Sequence, residues 1–165
     1  MAVAIYPGSF DPITNGHLSI VRNGLVAFER IIVAVLNHPT KSPLLSVAER
    51  VALIEASLPN HGANIEVDTF DGLLVDYARK RGVRVVLRGL RAVADFEYEL
   101  QMANVNRHLN ESVETVFIMA QDAYFYVSSN VVKEAARLGG DISKLVPPPV
   151  GAKLKEMYPC SAEQG

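Results

Sequence analysis

Tryptophan is absent from this chain of 165 residues, cysteine occurs once, and aromatic residues make up only 7% of it. The lone Cys160 excludes an intrachain disulfide and any zinc site built on several thiolates, and it points to a reducing compartment. No apolar run approaches the ~20 residues that a membrane-spanning helix needs. The opening run Ala2–Tyr6 is too short, and lacks the basic flank, to be a secretory signal. Charge of one sign is missing too: 16 Lys and Arg against 18 Asp and Glu leave a net charge of −2. No whole-molecule field therefore draws the chain to nucleic acid or to an anionic membrane. The expectation is a cytoplasmic protein with no nucleic-acid and no membrane partner, whose affinity for phosphate comes from a local cluster.

What is present is an ordinary globular composition, 49% hydrophobic and 21% charged, on a length that suits one domain over residues 1–165, with the segment from about 150 unassigned. Short Val- and Ile-rich runs alternate with amphipathic stretches. Strands are expected at Val3–Tyr6, Ile31–Leu36, Ile65–Val67, Val83–Leu87 and Val116–Met119, several of them apolar on both faces, as buried parallel strands are. Helices are expected over 16–28, where Leu18, Val21, Leu25 and Phe28 share a face; over 46–58, opened by the capping-box spacing of Ser46 and Glu49; over 73–81, closed by Arg-Lys-Arg and Gly82; and over 94–109 and 129–138. The run Pro147–Pro149 ends the periodic pattern, and a short terminal helix is expected after it. Strand and helix in alternation mean an α/β fold: a Rossmann-like, doubly wound, five-stranded parallel sheet with helices on both faces. Ligands in such folds bind beyond the carboxyl ends of the strands.

The segments after the strands carry phosphate-suited groups. Pro7 to His17 leads from the first strand into a helix whose free N–H groups attract an anion, although its glycine and proline also suit an ordinary turn. Lys41, after the second strand, reads as a phosphate clamp or as a solvated loop lysine. Arg88-Gly89-Leu90-Arg91, placed after the fourth strand, is a dense cationic site suited to phosphate oxygens. Its alternative is ion pairing with Asp95 or Glu99. Arg79, Lys80, Arg81 and Arg84 read as helix-terminal solvation. After the fifth strand, Ser128 and Ser129 offer hydroxyls at a helix start, as anion ligands or as simple caps, and the aromatic run Tyr124–Tyr126 reads as core packing. Together these sites suggest a nucleotide and a second phosphorylated ligand.

Pro7-Gly8-Ser9-Phe10-Asp11-Pro12 with Thr14-Asn15-Gly16-His17 resembles the (H/T)xGH signature of the nucleotidyltransferase superfamily. Arg88-Gly89-Leu90-Arg91-Ala92-Val93-Ala94-Asp95-Phe96-Glu97-Tyr98-Glu99 resembles the hallmark of the bacterial phosphopantetheine adenylyltransferase family, and the match runs from about residue 2 to 146. The resemblance implies transfer of AMP from ATP to 4′-phosphopantetheine by a Mg²⁺-dependent, cytoplasmic homohexamer. By position it implies that Ser9, Phe10, His17, Gly89, Leu90, Arg91, Glu99, Tyr124, Phe125, Tyr126, Val127, Ser128, Ser129 and Asn130 hold ATP, and that Ser9, Lys41, Leu74 and Arg88 hold the acceptor. The attacking phosphate is already largely ionised at neutral pH, so no protein base is needed. His17 is then expected to stabilise the transition state, with Mg²⁺ bridging phosphate oxygens on few protein ligands. Where the family has Ser or Thr at position 130, this chain has Asn130, which is expected to serve as a cap. The alternatives are another small-molecule nucleotidyltransferase, such as one acting on nicotinate mononucleotide, and a nucleotide-binding sensor without turnover.

Overall fold

Five strands, β1 (Val3–Gly8), β2 (Arg30–Leu36), β3 (Ile65–Phe70), β4 (Val85–Leu90) and β5 (Glu114–Met119), form one sheet in the order β3-β2-β1-β4-β5. The computed structural model describes residues 2–38, 42–58 and 62–159. Every neighbouring pair is parallel. The chain winds outward from β1 to β3, then crosses back to β4 and β5, so the switch point of this α/β fold lies between β1 and β4. Among the described residues six α-helices complete it: α1 (Asn15–Ala27), α2 (Val47–Ser57), α3 (Leu74–Arg81), α4 (Val93–Leu109), α5 (Ser129–Arg137) and α6 (Pro148–Met157).

Alternation along the strands divides the core in two. Ala4, Tyr6, Ile31, Val33 and Val35 turn toward α1, α2, α5 and α6, through Val21, Ile54, Val132 and Leu154. Ile5, Ile32, Ala34 and Val86 turn the other way, toward Val75 and Ala78 of α3. Helices therefore cover both faces, as expected.

The boundaries differ where pairing overrides local preference. β4 was expected to end at Leu87, but Arg88, Gly89 and Leu90 pair with Phe117, Ile118 and Met119 of β5, so Arg88 lies within the strand and only Arg91 follows it. β3 continues through the polar Asp68 and Thr69, in register with Ala34 and Val35. Arg81 is not merely solvated: it pairs with Glu66 and Asp68 of this edge strand. The terminal helix starts on the prolines rather than after them, with Pro147 as the cap and Pro148 as its first residue. Proline is tolerated there because the first-turn N–H groups have no helical partner. Val150 and Leu154 bury α6 against the core.

Gly24 of α1 sits against the sheet, and a Cβ built on it would lie 2.7 Å from Cδ1 of Ile31 and 2.9 Å from Cδ2 of Leu87, both fully buried. Alanine there recovers about 1 kcal/mol of helix propensity but forces packed side chains apart at a cost of about 1–3 kcal/mol. Gly24→Ala is expected to lower stability on balance. A rise in the urea midpoint would contradict this packing.

Candidate active site

The segment after β1 is shaped from within. Phe10 adopts a left-handed φ of 46°, a conformation unusual for a bulky residue, and its ring is buried edge-on between Tyr6 (centroids 5.4 Å) and His17 (5.2 Å). Gly8 makes room for that ring: a Cβ there would stand 2.9 Å from the Phe10 Cζ. Phe10 can therefore offer a ligand its backbone but not its side chain. Ser9, beside it, is exposed.

Thr14 caps α1, and His17 closes the capping box from the third helical position. The Thr14 N–H donates to His17 Nδ1 at 3.0 Å. An N–H can only donate, so Nδ1 must be unprotonated and the ring proton of the neutral imidazole must sit on Nε2. Burial pushes the His17 pKa down to about 4, and the positive charges of Arg91 and Arg88 push in the same direction. At neutral pH, His17 is thus an uncharged donor of fixed tautomer. In the unfolded chain the imidazole takes up a proton near pH 6.5, so between about pH 6.5 and 4 the unfolded state binds more protons and stability falls as pH falls. Nitrogen-15 NMR is expected to show a bare Nδ1 and a protonated Nε2 down to about pH 4. A His17 titration near pH 6.5 would contradict the assignment.

The arginines are already engaged. Arg88 reaches across to α4, donating from Nε and Nη2 to the two carboxylate oxygens of Glu99 at 2.6 and 2.5 Å, and from Nη1 to the Pro7 carbonyl at 3.0 Å. Arg91 donates to Asp95 at 3.1 Å and to the Val127 carbonyl at 2.8 Å. Both ion pairs left open by the sequence are therefore formed, and they fix the guanidiniums at the carboxyl edge of the sheet. Gly89 and Leu90 lie inside β4. Leu90 is buried, and a Cβ on Gly89 would stand 2.7 Å from Ile20, so only their backbones are on offer.

The start of α5 is tied to the β1 segment. Ser128 is the cap, accepting from the Val131 N–H, and the Ser129 hydroxyl donates to the Pro12 carbonyl at 2.7 Å. Asn130 is not a cap: it is the second residue of the helix and is exposed. Before α5, Tyr124 and Phe125 are half-buried and Val127 is buried. Tyr126 is 90% exposed, so the aromatic run does not pack as a whole. Lys133 of α5 pairs with buried Asp11 at 3.0 Å. Asp11 also accepts the Leu44 and Leu45 N–H groups, each at 2.9 Å. Asp11, Thr14, Lys133 and Arg50 were not among the site residues expected from sequence. The spacing Thr14-x-x-His17 does carry a capping signature, and Arg50 stands at a core position of the α2 pattern.

Two cavities, of about 320 and 380 Å³, share Ser9 and Leu36 in their walls. The first runs from Arg88 and Glu99 to the apolar Leu73, Leu74 and Met102. The second lies under the start of α5, with Asn130, Lys133, Arg50 and His38 in its wall. Lys41 and Cys160 lie outside the described residues. Among the described residues, no group of three or more His, Cys, Asp or Glu could hold a metal ion. No helix among them is long and apolar enough to cross a membrane.

The cytidylyltransferase-like family model matches residues 5–135. A phosphopantetheine adenylyltransferase of Anaeromyxobacter dehalogenans (strain 2CP-C) is 57% identical over 147 residues, covering 89% of each chain. That of Syntrophus aciditrophicus (strain SB) is 52% identical over 157 residues, 95% of this chain and 94% of the relative. The chain belongs to the phosphopantetheine adenylyltransferase family. A crystal structure of a Vibrio parahaemolyticus protein, assigned as a nicotinate-nucleotide adenylyltransferase, superposes with a TM-score of 0.67 at 18% identity, covering 95% of this chain and 93% of that one. It supports the fold alone. In this member of the phosphopantetheine adenylyltransferase family, the two motifs that carry the sequence resemblance meet in space. His17 comes from one, Arg88 and Arg91 from the other, and the two cations lower the His17 pKa across the β1–β4 switch point.

Proposed function

We propose that this enzyme transfers AMP from ATP to 4′-phosphopantetheine, giving 3′-dephospho-coenzyme A and pyrophosphate. The observation that carries the reading is the 51–57% identity to phosphopantetheine adenylyltransferases over most of both chains. The geometry supports it. One cavity has a cation at one end and an apolar wall along it, which suits a phosphate with a pantetheine arm, and the other lies at a helix N-terminus, which suits phosphates. Arg88, Leu74 and Lys41 would hold the acceptor. Ser9, the Phe10 backbone, Gly89 to Arg91, Glu99 and the segment from Tyr124 to Asn130 would hold ATP.

An oxygen of the acceptor phosphate forms the new bond to the α-phosphorus, and the bond from that phosphorus to the bridging oxygen breaks, releasing pyrophosphate. The nucleophile arrives ionised, so the protein's part is alignment of two anions and compensation of charge. His17 would donate Nε2–H to an α-phosphoryl oxygen, where charge builds in the transition state. Magnesium would enter with ATP as part of that substrate. A pyrophosphate-release assay across acceptors tests the reading: turnover is expected with 4′-phosphopantetheine and little with nicotinate mononucleotide, and the reverse preference would remove it.

We also propose a cytoplasmic homohexamer. Helix α4 exposes Phe96, Tyr98, Leu100, Met102, Val105 and Leu109, an apolar surface that suits burial against further copies of the chain. Light scattering is expected to give a mass of six chains.

A further inference from the structure

Arg50 is held in an arrangement more costly than packing requires. Three residues after Val47 and four before Ile54, it falls on the core-facing stripe of α2 and is 2% exposed. Its Nη1 donates to the Ser9 carbonyl at 2.7 Å and to the Leu36 carbonyl at 3.1 Å. Its Nε is buried with no hydrogen-bond partner among the described residues. A buried, incompletely paired guanidinium is destabilising, and an apolar residue would fill the position at lower cost. What the guanidinium holds are the exits of β1 and β2, and Ser9 and Leu36 stand in the wall of both cavities.

The Ser9–Phe10 peptide is trans, since the cis bond of this segment is Asp11–Pro12. A trans peptide directs its C=O and N–H to opposite sides. With the Ser9 carbonyl drawn to Arg50, the Phe10 N–H is turned away from Arg50, and it finds no acceptor among the described residues. The strained φ of Phe10 is held by ring contacts, one of them with His17. Two uncommon features, a half-satisfied buried cation and a left-handed aromatic residue, thus converge on one peptide.

We propose that Arg50 is a positioning residue for adenylyl transfer: by pinning the Ser9 carbonyl it presents the Phe10 N–H as a second donor, beside His17, to phosphoryl oxygens of the bound nucleotide. This rests on the proposed function only for the nature of the ligand.

The test uses the full chain labelled with ¹⁵N-phenylalanine, which gives six amide signals, and α,β-methylene-ATP with Mg²⁺, which cannot transfer AMP. In the unsubstituted protein the Phe10 amide is expected to shift downfield on titration. In Arg50→Lys, which keeps the charge but whose ammonium stops one atom short of the position of Nη1, that shift is expected to be lost with the other five signals retained, and kcat to fall on the order of 10²-fold. A merely structural role would lower the melting temperature and leave the Phe10 shift and low-temperature kcat in place. Replacing Phe10 by its α-hydroxy analogue deletes the N–H and leaves the Ser9 carbonyl in place as a weaker ester acceptor for Arg50; it is expected to give a similar loss of kcat, and it decides the matter if Arg50→Lys does not fold. A Phe10 amide unmoved by nucleotide, or normal kcat in either variant, overturns the proposal. A protein whose Phe10 amide responds to the nucleotide but which does not adenylylate 4′-phosphopantetheine would leave the proposal standing and remove the functional reading instead.

Discussion

His17→Ala is expected to lower kcat on the order of 10²-fold or more, and kcat/KM with it, while ATP affinity changes far less. The reason lies in the tautomer. The Thr14 N–H occupies Nδ1 at 3.0 Å, so the ring proton is committed to Nε2 before any substrate arrives. The pKa of about 4 keeps the ring neutral, so it brings no net charge to grip ground-state ATP. A neutral donor gains most where charge grows, and an interaction that strengthens in the transition state raises turnover without tightening binding. The substitution also removes half of the capping box, at about 1 kcal/mol of stability, so rates are to be compared well below the melting temperature. Steady-state kinetics beside calorimetric ATP titration checks this. A variant that loses ATP affinity and keeps kcat would make His17 a binding residue.

Arg88→Ala is expected to act twice. It removes the cation from the acceptor cavity, so acceptor binding and turnover both fall, with kcat/KM down on the order of 10²-fold for about 2.7 kcal/mol of lost transition-state stabilisation. It also strands Glu99, whose side chain is only 12% exposed, and a buried charge left without its partner costs about 2 kcal/mol of stability. The double variant Arg88→Ala with Glu99→Ala separates the two effects. Removing both partners is expected to recover much of the lost stability and none of the activity. If activity returned with stability, Arg88 would be a structural residue only.

The alternation of Val- and Ile-rich runs with amphipathic helices made the parallel sheet legible, because buried strands and core-facing helix stripes each leave a period in the sequence. The end of β4 was not legible: Arg88 and Gly89 carry no strand preference, and only pairing with Phe117 and Ile118 makes them strand. Nor was the start of α6, where prolines were read as a stop although they also suit a first helical turn. The site was legible as motifs but not as a hydrogen-bond network. Sequence places His17 near a helix start, yet only the fold shows that Thr14 fixes its tautomer. Arg50 left a readable trace, a cation on an apolar stripe, but what it holds depends on Ser9 and Leu36, which are distant in the chain. Asn130, read as a cap, is two positions too late because Ser128 takes that role.

The most direct measurement is a competition. The purified protein is incubated with Mg²⁺, ATP and equal concentrations of 4′-phosphopantetheine and nicotinate mononucleotide, and the products are identified by mass spectrometry. AMP attached to 4′-phosphopantetheine, with pyrophosphate released in equal amount, is the expected result. AMP attached chiefly to nicotinate mononucleotide, or ATP left intact, would contradict it.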